Sequence, residues 1–360
     1  MRQVRRLFPA LGLLAAVLAA GFCAPAPKAV PGEKRPLWFG FHAMVESKAD
    51  AAGLIAEIPS LAALGVNLII AEIDYNYEYV SHPELRGEDP VTKDTVREIV
   101  ALCRRNKIRL VPEFQSLGHQ SWDKKTFPLL VKYPQFDETP GKYPGNKDIY
   151  CRSWCPLHPD LLPIIFDLMD ELVDVCEADA LHVGMDEVFL IADPDCPRCK
   201  GKDPAVLFAR AVNDLHDHIV MKRGKEMMMW GDRFLDGAAT GYGEWEAAKN
   251  GTAPAIDLVP KDIVICDWHY EREYPEMTNY GFPSVTLFMA KGFRILPTSF
   301  RDPRAVAAFI DRSLPYRSER MLGHLCTIWR GLKPGASAKY GALKVASRKL
   351  RPVMIAPHLD

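Results

Sequence analysis

Short apolar runs alternate with longer amphipathic stretches along the chain from about residue 37 onward. Apolar runs of four to eight residues that are bounded by turn residues predict buried strands. Eight such runs occur, at residues 37–42, 66–73, 108–114, 180–185, 226–231, 262–269, 294–299 and 323–329. The hydrophobic pattern therefore predicts eight strands that are widely separated in the sequence.

The stretches between these runs have helical spacing. Residues 49–65 place Leu54, Ile58 and Leu61 on one side, and apolar residues recur in the same way in later stretches. The later stretches are residues 91–107, 161–176 and 203–225. Strands that alternate with helices predict parallel pairing, and eight repeats predict an α/β fold, a closed (β/α)8 TIM barrel. A doubly wound open sheet is the alternative, but no GxGxxG loop follows an early strand.

The N-terminal residues have a different composition. Residues 1–23 combine a basic start with an apolar Ala/Leu-rich stretch, which predicts an export signal peptide. The stretch is too short for a stable membrane span. Paired arginines leave the general and twin-arginine routes open, and simple cleavage is favoured over lipid anchoring at Cys23. Residues 24–36 then predict a Pro-rich linker, and residues 37–360 are expected to form a single barrel. The protein is expected in the periplasm or outside the cell.

Composition adds little to this interpretation. Apolar residues make up 48% and charged residues 25% of the 360 residues, as in ordinary globular proteins. The formal net charge is −1, and no run of lysine or arginine occurs in the sequence. We therefore expect neither a nucleic-acid partner nor an anionic membrane partner.

Four of the nine cysteines form two closely spaced pairs, Cys151 with Cys155 and Cys196 with Cys199. Such pairs suit a tetrahedral four-cysteine zinc site. In an exported chain they also suit disulfides that clamp long loops, and this second interpretation is slightly favoured. Either arrangement would be structural.

Polar and aromatic residues follow most of the predicted strands. In a TIM barrel the chemistry lies at the carboxyl ends of the strands. The residues at these ends are Glu72, Asp74, Glu113, Gln115, His119, Asp186, Glu187, Trp230, Asp232, Asp267, Trp268, Tyr270 and Trp329. Because flat rings stack on sugar faces and carboxylates bind hydroxyls, this combination predicts a carbohydrate site.

The fourth strand ends in two adjacent carboxylates, Asp186 and Glu187. Side chains alternate along a strand, so His182, Gly184 and Asp186 should face the barrel axis. Glu187 would then point away unless the strand has already ended. A shared pocket for both acids thus requires that they lie at the exit of the strand. The ordinary alternative is a helix cap with a first-turn acid.

Five segments resemble the catalytic domain of family 20 glycoside hydrolases, the β-N-acetylhexosaminidases. HVGMDEV at residues 182–188 is similar to the H-x-G-G-D-E signature of that family, and VPEFQSLGHQSW at 111–122 to its strand-three segment. Weaker similarities lie at LGVNLIIAEID, MMMWGD and CTIW. The order and spacing agree over about residues 37–331, so the resemblance covers the whole predicted barrel.

The resemblance implies a retaining, substrate-assisted hydrolysis of terminal β-linked N-acetylglucosamine or N-acetylgalactosamine. Asp186 would orient the 2-acetamido group of the sugar, and Glu187 would be the general acid and base. The implied substrate-binding residues are His119, Asp74, Trp230, Asp232, Trp268, Tyr270, Trp329 and His42. No cofactor and no catalytic metal are implied, although residues 42, 72, 74 and 113 weakly suggest a metal site.

The chain also departs from the pattern of that family. Met185 replaces the second glycine of the signature, and Gly331 stands where a glutamate is usual. The strand-one arginine has no counterpart, and His42 lies near its position. The small domain before the barrel is also expected to be missing. Two alternatives therefore stay open: a glycosidase for another sugar that uses two carboxylates directly, and an inactive carbohydrate-binding barrel.

Overall fold

A computed structural model describes residues 37–122, 125–142, 149–271 and 281–355. Eight parallel strands close into a barrel in chain order, with the last strand paired to the first. The barrel strands are β1 (Trp38–Met44), β2 (Leu68–Glu72), β3 (Arg109–Ser116), β4 (Ala180–Gly184), β5 (Glu226–Trp230), β6 (Val264–Trp268), β7 (Arg294–Ser299) and β8 (Gly323–Ile328). The (β/α)8 TIM barrel predicted from the hydrophobic pattern is thus confirmed. The signal peptide and linker predicted for residues 1–36 lie outside the described residues.

Helices follow most of the strands and cover the barrel. They are α1 (Lys48–Ala63), α2 (Lys93–Arg105), α3 (Pro128–Lys132), α4 (Leu161–Val175), α5 (Pro204–His216), α6 (Gly237–Thr240), α7 (Pro283–Ala290), α8 (Pro303–Ser313) and α9 (Gly341–Ile355). The side chains of Ser47, Thr92 and Asp203 accept backbone N–H groups at the starts of α1, α2 and α5. These caps explain why the helices begin where they do. None of the helices in the described ranges is long and apolar enough to cross a membrane.

The apolar core has two layers because side chains alternate along each strand. The inner layer fills the barrel and includes Leu68, Val111 and Trp230. The outer layer packs the strands against the helices and includes Leu181, Val183 and Met185. The outward side of β4 is thus apolar, as its alternation predicts. Met185, which replaces the second glycine of the family signature, packs in this outer layer.

Candidate active site

An open cleft of about 590 Å³ lies at the carboxyl ends of the strands. A cleft of this size suits a small-molecule ligand. Seven of the ten residues to which the resemblance assigns a catalytic or substrate-binding role line it, together with Glu72, Tyr150 and Arg86. The seven are Asp74, His119, Asp186, Glu187, Trp268, Tyr270 and Trp329. The folding of the barrel therefore brings most of the candidate residues together from separate strands.

The two adjacent carboxylates both face this cleft. β4 ends at Gly184, and the backbone then turns through positive φ at Met185 (77°) and Glu187 (47°). This turn breaks the alternation of a strand, so neighbouring side chains can face the same pocket. His119 Nε2 lies 3.4 Å from Asp186 Oδ2 and 3.1 Å from Glu187 Oε2. Both acids thus converge on one histidine at the exit of the strand.

Gln115 holds Asp186 in place. Its Nε2 donates a hydrogen bond to Asp186 Oδ1, and its backbone N–H donates to Asp74 Oδ1 at 2.7 Å. A Cβ atom on Gly184 would lie 1.4 Å from Gln115 Oε1, so only glycine leaves room for this amide. The glycine at residue 184 therefore makes space for the side chain that orients the aspartate.

Asp232 orients the second acid from behind, although it does not line the cleft. Its Oδ2 accepts the Glu187 backbone N–H at 2.9 Å and the Arg233 Nε–H at 2.6 Å. Its Oδ1 accepts the indole N–H of Trp268 at 3.3 Å. Burial is the main reason that the pKa of Asp232 is raised to about 6, since Arg233 opposes the shift only in part. Asp232, predicted from the sequence to bind substrate, is buried in this structure and holds the backbone of Glu187.

His119 lies beside both acids and is itself buried. Burial disfavours its protonation, but the neighbouring Asp186 carboxylate outweighs burial and raises the pKa of His119 well above its ordinary value. The imidazole ring also lies near Trp122 and Tyr150, at centroid distances of 5.7 and 6.2 Å. The His119 imidazole thus lies within 3.4 Å of both acids at the edge of the cleft.

Aromatic side chains form one side of the cleft. Trp268 and Tyr270 pack with their ring centroids 4.9 Å apart, and Trp329 Nε1 donates to Tyr270 Oη at 2.9 Å. The Tyr270 oxygen thus accepts a hydrogen bond from the indole, and its own O–H is left to donate. The three rings give the cleft an apolar face and one hydroxyl, which suits a sugar ring.

Trp230 and His42, two of the residues predicted to bind substrate, are not among those that line the cleft. Both are fully buried in the barrel interior beneath it. Trp230 Nε1 donates to Glu113 Oε1 at 2.9 Å, and His42 Nε2 lies 3.1–3.2 Å from Glu113 and Glu72. Burial opposes protonation of His42, but these two carboxylates raise its pKa to about 10. Both residues belong to a charged layer under the floor of the cleft.

The structure also adds residues that the sequence left without a role. Gln115 was recognised only as a strand-end residue, and nothing in the sequence pattern distinguished Tyr150 or Arg86, which lie in loops. Arg86 lines the cleft and its Nε donates to the Tyr79 carbonyl at 2.7 Å. A Cβ on Gly331 would lie 1.6 Å from Asp50 Oδ1, so its backbone is packed against α1. Arg86 is thus a positively charged side chain that the loop after β2 brings to the cleft.

The paired cysteines are not arranged as one four-cysteine site. Cys155, Cys196 and Cys199 lie together with Glu138, and their ligand atoms are all within 4.8 Å of one another. Cys151 is not part of this group, because its Sγ donates to the Glu187 carbonyl at 3.2 Å. None of the cysteines in the described ranges forms a disulfide in this structure. The spacing of the cysteines did not indicate that Glu138 would be the fourth member.

The model of the glycosyl hydrolase family 20 catalytic domain matches residues 56–289, more than half of the chain. The chain is also similar to two curated proteins named beta-hexosaminidase. It is 27% identical to the protein of Akkermansia muciniphila over 114 residues, which cover 31% of this chain and 22% of that one. It is 23% identical to the protein of Vibrio furnissii over 195 residues, which cover 54% of this chain and 29% of that one.

A solved structure of a β-N-acetylhexosaminidase from Bacteroides fragilis has the same fold. Its TM-score with this chain is 0.62 at 15% sequence identity, over 88% of this chain and 66% of the other. The matched segments thus span less than a third of the two curated relatives and about two thirds of the solved chain.

Proposed function

Because the chain belongs to glycosyl hydrolase family 20, we propose that it is a glycoside hydrolase that releases terminal β-linked N-acetylhexosamine from glycans. The observation that carries the proposal is the pair Asp186 and Glu187, which face one cleft and share His119 as a partner. The names of the similar proteins are consistent with this activity.

The proposed reaction is a retaining hydrolysis in which the substrate supplies the nucleophile. The 2-acetamido oxygen of the sugar attacks the anomeric carbon while the glycosidic C–O bond breaks. Glu187 gives its proton to the leaving oxygen. Water then attacks the anomeric carbon and loses a proton to Glu187, and the acetamido group is released. Two inversions at the anomeric carbon retain its configuration.

Asp186 is proposed to orient the acetamido group and to balance the positive charge that it acquires. The carboxylate is held by the Gln115 amide on one oxygen and lies beside His119 with the other, which fixes its direction. A charge fixed in advance stabilises a transition state without reorganisation. The hydroxyl of Tyr270 is the proposed donor to the acetamido oxygen.

Asp74 and Arg86 are proposed to bind sugar hydroxyls, and Trp268 and Trp329 to stack on the ring. All four line the cleft. Asp74 and Arg86 would take the place of the strand-one arginine that is expected from the resemblance. Specificity for the sugar hydroxyls would then depend on the loop after β2, which carries both residues.

We also propose that the protein is exported, to the periplasm or the extracellular space. The proposal rests on the composition of residues 1–23 and on the Pro-rich linker that follows them. A glycan outside the cytoplasm is then the expected partner.

The activity is tested with aryl β-glycosides of N-acetylglucosamine, N-acetylgalactosamine and glucose. We expect release of the aryl group from the two amino sugars and not from the glucoside, together with inhibition by a thiazoline analogue of the intermediate. Glu187→Gln should lower kcat by roughly 10²- to 10⁴-fold, which is the usual contribution of a general acid. The same variant should still bind N-acetylglucosamine.

The two alternatives predict different results. A glycosidase with a direct carboxylate nucleophile would cleave the glucoside or another aryl glycoside and would resist the thiazoline. An inactive binding barrel would cleave none of the three substrates but would bind the amino sugar. Either result would replace the proposed function.

A further inference from the structure

A second cluster of chemically reactive side chains does not line the cleft and takes no part in the proposed hydrolysis. It consists of Glu138, Cys155, Cys196 and Cys199, and each of the four is at most 1% exposed. Three thiols and one carboxylate that converge away from solvent are a donor set typical of zinc.

The distances within this thiol cluster fit a tetrahedral ion. Cys155 Sγ lies 3.5 Å from both Cys199 Sγ and Cys196 Sγ. With zinc–sulfur bonds of about 2.3 Å, the sulfur atoms of a tetrahedral site are roughly 3.8 Å apart. A disulfide, with sulfurs about 2.0 Å apart, would join only one pair and leave the third thiol and the carboxylate unused.

Glu138 provides an independent observation. Its Oε1 accepts the Asp193 backbone N–H at 3.2 Å, while its buried Oε2 has no hydrogen-bond partner among the described residues. A carboxylate that is 0% exposed is costly unless it is paired or binds a metal. The unpartnered oxygen belongs to the same carboxylate that groups with the three sulfur atoms.

The backbone around the thiols also suits thiolates. The Cys199 N–H donates to Cys196 Sγ at 3.4 Å, within the tight turn of the CPRC segment. Hydrogen bonds of this kind favour a charged sulfur, and ligand orientation in metal sites depends on them.

We propose that Glu138, Cys155, Cys196 and Cys199 bind one structural zinc ion. On binding, the three thiols lose their protons to solvent and the carboxylate supplies one oxygen. The ion joins the loop after β3, which carries Glu138 and Cys155, to the loop after β4, which carries Cys196 and Cys199. The first loop also carries His119, and the second follows Asp186 and Glu187. The zinc would thus fix two loops of the cleft relative to each other without contacting substrate.

The proposal is tested on the full-length protein, purified and dialysed against zinc-free buffer. We expect about one zinc per chain by elemental mass spectrometry. After unfolding with a chelator, Cys155, Cys196 and Cys199 should all react with a thiol reagent. Replacement of zinc by Co²⁺ should give thiolate-to-metal charge-transfer absorption in the near ultraviolet. Absence of zinc, together with a peptide that links Cys155 to Cys196 or Cys199 through a disulfide, would overturn the proposal.

Variants identify the ligands. Loss of a residue that only hydrogen-bonds a metal ligand typically lowers metal affinity by roughly 10- to 100-fold. Cys199→Ser and Glu138→Gln remove a ligand itself, so they should lose zinc to a chromogenic chelator faster than the native protein by at least this factor. Cys151→Ser is the matched control, since Cys151 is buried nearby but lies outside the group, and it should keep its zinc. If Cys199→Ser does not fold, Glu138→Gln and the native protein still decide the question. Zinc loss in the Cys151 variant but not in Glu138→Gln would contradict the assignment.

Discussion

The Gly184→Ala substitution tests the local geometry on which the candidate site depends. Gly184 has φ +66°, and a Cβ there would lie 1.4 Å from Gln115 Oε1 and 2.9 Å from Gln115 Cα. Two costs therefore add. A non-glycine residue in the left-handed region costs about 1–2 kcal/mol. Overpacking a filled interior costs about 1–3 kcal/mol more.

Gly224→Ala is the matched control. Gly224 has φ +64°, and a Cβ there would meet no atom of the described residues within 4 Å. Only the backbone cost then applies, so we expect a loss of about 1–2 kcal/mol. The Gly184 variant should lose about 2–5 kcal/mol in total.

The assays are thermal unfolding and hydrolysis of the aryl N-acetylglucosaminide. At roughly 2 °C per kcal/mol, the control should melt about 2–4 °C below the native protein and Gly184→Ala about 4–10 °C below it. The Gly184 variant should also lose most of its kcat, because the displaced Gln115 no longer orients Asp186. The Gly224 variant should keep its activity.

Removing the Gln115 side chain separates the two contacts. In the double variant with Gln115→Ala, part of the extra stability loss should be recovered, because the collision with Oε1 is gone while that with the backbone stays. Activity should not recover. If Gly184→Ala melts at the same temperature as Gly224→Ala, the close packing of Gln115 against residue 184 is refuted.

Two further predictions concern buried groups near the cleft. His269 lies 2.7 Å from Glu246 and 3.1 Å from Asp267, and these acids outweigh burial and raise its pKa to about 9. Its stabilising contribution, on the order of 3 kcal/mol, should be complete below about pH 6.5 and lost as the pH rises to about 9. Thermal unfolding of the native protein and of His269→Gln across that range measures it, and a constant difference in melting temperature would contradict it. Asp232→Asn weakens the hold on the Glu187 backbone and should lower kcat by about 10²-fold with little change in KM. Asp236→Asn, which affects only the cap of α6, is the control, and equal kcat in both variants would exclude the positioning role.

The strand pattern predicted the barrel well because each strand is a distinct apolar run. β7 was predicted at its observed bounds, and the other strands differ from their predicted bounds by one or two residues at one or both ends. The acids at 186 and 187 were identified because they interrupt such a run. The depth of a side chain in the barrel was less predictable. Trp230 pairs with Cys266, while Trp268 lies two residues further along its strand and reaches the cleft. Both tryptophans end their strands, so the sequence alone could not separate them.

Long loops account for the remaining differences. Glu138 precedes Cys155 by many residues, so spacing gave no signal that the two would meet. Cys151 is close to Cys155 in sequence, yet its Sγ contacts the Glu187 carbonyl instead of the other thiols. Arg86 and Tyr150 reach the cleft from loops that have no periodic pattern. The contributions of these residues depend on tertiary contacts.

Hydrogen bonds join consecutive strand ends around the rim of the barrel. Asp74 accepts from Gln115, Gln115 donates to Asp186, and Asp232 then accepts from both Glu187 and Trp268. These hydrogen bonds link five neighbouring strand ends, and we expect the linked ends to open together. Backbone amides of these strand ends should exchange with solvent in one concerted opening. A substitution that breaks a hydrogen bond at either end of the series should therefore also loosen Asp186 and Glu187.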